Sequence, residues 1–123
     1  FENLKLKNFS VFPGLELKLL QGLQLGCSGI ITATCNVTAE MSRKVYEDFY
    51  SKKEQSVNKK LCEVRAAFDK YNLISGLHTF FSKENKDYKN ILPPLSLLNK
   101  TDETNLINTL KDLNFSNKSS MAA

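Results

Sequence analysis

The residues best suited to meet a polar ligand lie near the start of the chain: Gly14, Glu16 and the run Ile31-Thr32-Ala33-Thr34. Gly14 ends Phe9-Ser-Val-Phe-Pro-Gly, a short aromatic and β-branched run stopped by Pro13-Gly14, the pattern of a strand closing in a turn. In parallel α/β proteins, functional groups collect at the carboxyl ends of strands. A glycine at such an end lets a ligand approach the backbone. Glu16 follows in the first turn of an expected helix. It could contact a polar substrate there, or simply favour the helix dipole. Ile31 to Thr34 end a second uncharged, β-branched run, where backbone carbonyls and small hydroxyls could line a pocket or pack as an ordinary strand. Asn36 suits a turn-capping role.

Other chemistries lack their residues. His78 is the only histidine, and it shares its expected helix with Phe80 and Phe81. No Ser/His/Asp set can be assembled around it without a nucleophile elbow. Gly22, Gly26 and Gly29 do not make a phosphate-cradling loop. Cys27, Cys35 and Cys62 form an odd set without zinc-ligand spacing, which suits reduced, buried thiols. No metal and no cofactor is expected.

The elements that must position these residues can be read from periodicity. Leu15, Leu19, Leu20 and Leu23 make a helical stripe, and Gly26 stands where a C-terminal cap belongs. Gly29 to Thr34 reads as a strand buried on both faces. Strand, helix and strand then form a βαβ unit with parallel strands and a right-handed crossover. A parallel pair needs neighbours, and the rest of the chain offers no further strand, so the pair is expected to belong to a larger sheet. Leu4, Leu6 and Phe9 could be the tail of a preceding helix and the approach to the first strand. Beyond Asn36 the pattern is helical. Helices are expected over 39–50 with Thr38 as N-cap, over 54–71, over 74–82, and after Thr101 with Leu106, Ile107, Leu110 and Leu113 buried. Residues 83–94 read as a polar loop closed by Pro93-Pro94, 94–98 as an extended packing segment, and 114–123 as a fraying end. The domain reading is residues 1–50 as the sheet-and-helix part and 51–123 as a helical extension.

The 123 residues are 41% hydrophobic and 24% charged with a formal net charge of +4, a globular composition. The basic residues Arg43, Lys44, Lys52, Lys53, Lys59 and Lys60 interleave with Glu47, Asp48, Glu54 and Glu63, as on a solvated helix surface, so neither nucleic acid nor membrane is an expected partner. The Asn-x-Ser/Thr triplets at Asn8, Asn36, Asn99, Asn114 and Asn117 are attributed to a composition rich in those residues. A cytoplasmic location follows from the cysteine usage and the lack of a signal peptide.

Two blocks resemble a known family. Val11-Phe-Pro-Gly-Leu-Glu16 and Gly26-Cys-Ser-Gly-Ile-Ile-Thr-Ala-Thr-Cys-Asn36 are similar to the seventh and eighth strand regions of the dihydrodipicolinate synthase / N-acetylneuraminate lyase superfamily, in sequence and in spacing. The resemblance extends to the helices and to the Leu92-Pro93-Pro94-Leu95 segment, over residues 1 to about 113. It implies the C-terminal portion of a TIM (β/α)8 barrel, about the last two strands with their helices, plus a helical extension. It also implies class I aldolase chemistry on pyruvate or another 2-oxo acid through a Schiff-base lysine, with a tyrosine relaying a proton. Both of those residues are expected upstream of Phe1, so no residue of this chain is assigned as catalytic. By the same resemblance Gly14 lies beside the substrate, the Ile31 carbonyl faces the pyruvate unit, and Glu16 contacts a hydroxylated tail. Ala33 and Leu17 replace a serine and an acidic residue of the sialic acid lyases. The implied partners are a 2-oxo acid, the missing N-terminal part of the barrel, and further copies in a homotetramer. The preferred function is a lyase or aldolase on a 2-keto-3-deoxy sugar acid. Dihydrodipicolinate synthesis and a non-catalytic, stand-alone interaction module are the alternatives.

Overall fold

A computed structural model describes residues 6–116. Leu4, Asn117 and most of the expected fraying end fall outside them. The chain forms two units, Phe1–Cys62 and Glu63–Ala123, with the boundary inside a helix after Cys62.

In the first unit, an extended segment through Phe12 leads into a 3-10 turn, Glu16–Lys18, and then helix α1, Leu19–Gln24. A second extended segment leads into α2, Cys35–Tyr50. The two segments run side by side in the same direction. The Ser28 N–H donates to the Val11 carbonyl at 2.9 Å, and the Ile31 N–H donates to the Pro13 carbonyl at 3.2 Å. These are the two expected strands, but among the described residues no strand forms. A parallel ladder needs evenly repeated bonds and more than two members to persist, and this pair has only two such bonds between its segments.

The helix ends have a common cause. Gly26 (φ 92°), Lys52 (φ 56°) and Asn114 (φ 50°) are left-handed residues just past α1, α2 and α5, Lys100–Asp112. In each case the next N–H reaches back to close the helix: Cys27 to Gly22 at 2.8 Å, Lys53 to Asp48 at 2.8 Å and Phe115 to Leu110 at 2.9 Å. These are Schellman closures, and glycine is the residue that adopts them without steric cost. The cap expected at Gly26 is therefore present. The closure at Lys52 also explains why the next helix, α3, runs Asn58–Asp69 and not from 54: the chain must first leave the left-handed turn.

Leu19 and Leu23 of α1, Val45 of α2 and Leu61 of α3 form the buried core of the first unit, with Leu20, Ile30, Met41 and Phe49 packed against it. The Gln55 side chain fixes the α2–α3 connection by donating to the Val45 carbonyl at 3.1 Å.

The second unit is helical. It contains the end of α3, α4 (Leu73–Phe81), a 3-10 turn at Lys86–Lys89, and α5. Phe68 meets Phe80 edge to face at 5.8 Å between ring centroids, and Phe80 meets Phe115 at 5.9 Å. Gly76 lets α4 approach closely, since a Cβ there would stand 3.4 Å from the Phe68 ring and 3.9 Å from Leu106. Leu106 and Leu110 are fully buried, as the periodicity of α5 predicts. The N-cap of α5 is Asn99, not Thr101, because the Asn99 carboxamide accepts from the Asp102 N–H at 2.8 Å. Asn72 caps α4 in the same way through Ser75.

Candidate functional site

The two extended segments end side by side, and the candidate residues sit at those ends. Gly14 is exposed, and a Cβ on it would lie 3.7 Å from the Ile31 carbonyl oxygen. Nothing but the absence of a side chain at 14 keeps that space open. Exposure alternates along the second segment, which bends into a turn at Ala33 and Thr34. Ile31, 72% exposed, and Ala33 point outward, while Thr32 and Thr34 turn inward.

The inward face meets Glu16, which is 0% exposed. Its Oε1 accepts from the hydroxyls of Thr32 at 2.8 Å, of Thr38 at 3.1 Å, and of Thr34. The Thr32 and Thr34 hydroxyls are 2.8 Å apart, and the Thr38 hydroxyl also reaches the Thr34 carbonyl at 3.0 Å. A carboxylate is an acceptor-only group, and buried polar atoms need partners, so three converging hydroxyls suit it. Its position at the start of α2 adds the favourable end of the helix dipole.

The four candidate residues therefore divide by depth. Gly14, Ile31 and Ala33 share the exposed edge, and Glu16 lies beneath them, turned away from solvent. Leu17, the second position of interest in that turn, is exposed. Thr38, expected as the N-cap of α2, lies inside the helix instead. The helix begins four residues earlier than expected because the Val37 and Thr38 N–H groups both donate to the Thr34 carbonyl at 2.9 Å. Asn36 does bond its turn, donating to the Ala33 carbonyl at 2.8 Å.

The threonine trio is the feature that residue-by-residue reading missed. Its signal was available: Thr32 and Thr34 share a face at strand period, Thr38 adds a helical i+4 step, and a carboxylate precedes them in an apolar run. Burial and the neighbouring Tyr46 push the Tyr50 phenol up, and burial with the nearby Lys100 and Lys89 pulls the Lys83 ammonium down. His78 bonds the Tyr88 carbonyl through Nδ1 at 2.9 Å, within the second unit. Among the described residues no group of three His, Cys, Asp or Glu could hold a metal ion, and no helix is long and apolar enough to cross a membrane.

Parallel extended segments, each feeding a helix and exposing a glycine and a carbonyl at their ends, are the local form of a βα-repeat protein. Comparison with known proteins specifies it further. The Dihydrodipicolinate synthetase family profile matches residues 2–113, and the chain belongs to that family. The fold is similar to the 1.94 Å crystal structure of dihydrodipicolinate synthase DapA-2 from Bacillus anthracis, with a TM-score of 0.76 and 18% sequence identity. The match covers 86% of this chain and 37% of that one, so the chain spans about a third of the length of the enzyme it matches. No curated protein matches the sequence.

Proposed function

We propose that this chain forms the closing part of a (β/α)8-barrel aldolase or lyase that makes or breaks a carbon–carbon bond to pyruvate through a Schiff base. The observation that carries the reading is the Ile31 carbonyl beside Gly14, at the exposed ends of two parallel segments, in a chain of the Dihydrodipicolinate synthetase family. The carbonyl accepts from the 2-oxo acid unit, and Gly14 leaves room for it. Ala33 borders the same edge. The reactive lysine and the proton-relaying tyrosine belong to the remainder of the barrel, and the complete enzyme assembles as a tetramer.

Two observations divide the choice of second reactant. An acidic residue directly after the Gly14 turn favours a 2-keto-3-deoxy sugar acid, whose hydroxyls it could bind. The inward commitment of that Glu16 carboxylate to three threonines favours dihydrodipicolinate synthesis, which makes no call on it.

Borohydride reduction of the complete enzyme in the presence of pyruvate tests the reading. One adduct on a lysine outside residues 1–123 is expected, with the 123-residue chain alone unlabelled. Absence of any adduct on the complete enzyme would leave the interaction-module reading. Release of pyruvate from a 2-keto-3-deoxy sugar acid separates the two substrate classes. Gly14→Val, whose side chain fills the space over the Ile31 carbonyl, is expected to lower pyruvate trapping at least about tenfold while the chain still folds.

A further inference from the structure

We infer that Glu16 is a positioning residue: its buried carboxylate orients the Ile31 carbonyl at the 2-oxo acid seat through Thr32 and Thr34, without touching substrate. The inference rests on the aldolase reading above and assigns Glu16 a different task from binding a hydroxylated tail.

The geometry gives three reasons. First, Glu16 is 0% exposed and its Oε1 is already surrounded by three hydroxyls, so in this arrangement it presents no acceptor to a ligand. Second, the backbone link between the two extended segments at this end is a single bond, from the Ile31 N–H to the Pro13 carbonyl at 3.2 Å. Thr32 and Thr34 add a side-chain restraint to it. They lie on either side of Ala33 on the inward face, and both bond the carboxylate of the turn that follows Gly14. With Thr32 and Thr34 held on the inner side, Ile31 and Ala33 remain exposed. Third, Thr38 bonds both the carboxylate and the Thr34 carbonyl, so the same group ties the segment to the first turn of α2. The Glu16 carboxylate thus holds the Gly14 turn, the Ile31 segment and the start of α2 in one register.

The test pairs kinetics with amide exchange, both on the complete enzyme. Glu16→Gln keeps the size of the side chain and weakens its acceptance of hydroxyl protons, so it guards against a variant that fails to fold. It is expected to raise the KM for pyruvate about tenfold and to change kcat much less. The Thr32→Val/Thr34→Val double variant is expected to do the same, and combining it with Glu16→Gln should add little, because all three act as one unit. In the complete enzyme, Glu16→Gln should speed exchange at the Ile31 and Cys35 amides at least about tenfold relative to amides in α4 and α5. A substrate-binding glutamate predicts a raised KM for the second reactant with the pyruvate KM unchanged, and that result overturns the inference. Full additivity with the threonine variants overturns it too, as does exchange that rises equally across the chain. Failure of the wild-type enzyme to trap pyruvate instead overturns the aldolase reading. In that case unchanged exchange at Ile31 rejects the positioning role as well, and selective exchange there retains the restraint itself.

Discussion

The two units handle their interiors in different ways. The second closes on apolar rings and leucines: Phe68, Phe80, Leu106 and Leu110 are all buried, and its helices are capped by Asn72 and Asn99. The first buries a glutamate with Thr34 and Thr38 and half-buries Thr32, while Phe9, Phe12 and Ile31 remain exposed. A buried polar knot contributes less net stability than an equal volume of hydrocarbon, because each group must first lose water. It does fix direction, since a hydrogen bond has an angle and a methyl contact has none. Such directionality suits the role proposed for the Ile31 carbonyl.

The comparison can be broken most sharply in the second unit. Phe68→Ala should cost about 3–5 kcal/mol by leaving a cavity against Phe80, read as a lower urea midpoint. A cost under 1 kcal/mol would mean that the ring cluster is not the core of that unit. Glu16→Ala comes next. It strips three hydroxyls of their common acceptor and should cost roughly 1–3 kcal/mol. Adding Thr32→Val and Thr34→Val should restore part of that loss, because the orphaned donors go with their partner. Restoration is the diagnostic, since two independent defects would add.

The helix ends supply a smaller pair of opposite sign. Gly26 has nothing within 4 Å of where a Cβ would sit, so Gly26→Ala tests backbone conformation alone, and about 1 kcal/mol should be lost. Lys52 holds the same left-handed conformation with a side chain, so Lys52→Gly should gain about 1 kcal/mol. Equal signs in thermal melts of the two variants would contradict the shared closure. Ile31→Val should be the mildest change, within about 0.5 kcal/mol, because the side chain is 72% exposed and its proposed role belongs to the backbone.

Much of this architecture was legible in the sequence. Leu19, Leu20 and Leu23 of the leucine stripe, the Gly26 cap, the apolar faces of α3 to α5, and the turn at Pro13-Gly14 follow from local patterns that the folded chain keeps, whereas Leu15 is extended and precedes the helix. The boundaries at 35, 58 and 99 were not legible. Those at 35 and 99 are decided by which carbonyl or side chain captures a nearby N–H, and the one at 58 follows the left-handed turn at Lys52. The two strands were half legible: the segments are extended and parallel, but a ladder depends on neighbours, and strand propensity describes only the segment that carries it.

The candidate site divides along the same line. Residue type and spacing were enough to bring Gly14, Glu16, Ile31 and Ala33 to attention, and to assign the chain's resemblance, because glycine at a strand end and a recurring block of small residues are local statements. Which of the four faces outward could only be decided in three dimensions. Burial is a property of the space around an atom, and Glu16 lost its exposure to threonines 16, 18 and 22 residues further along the chain.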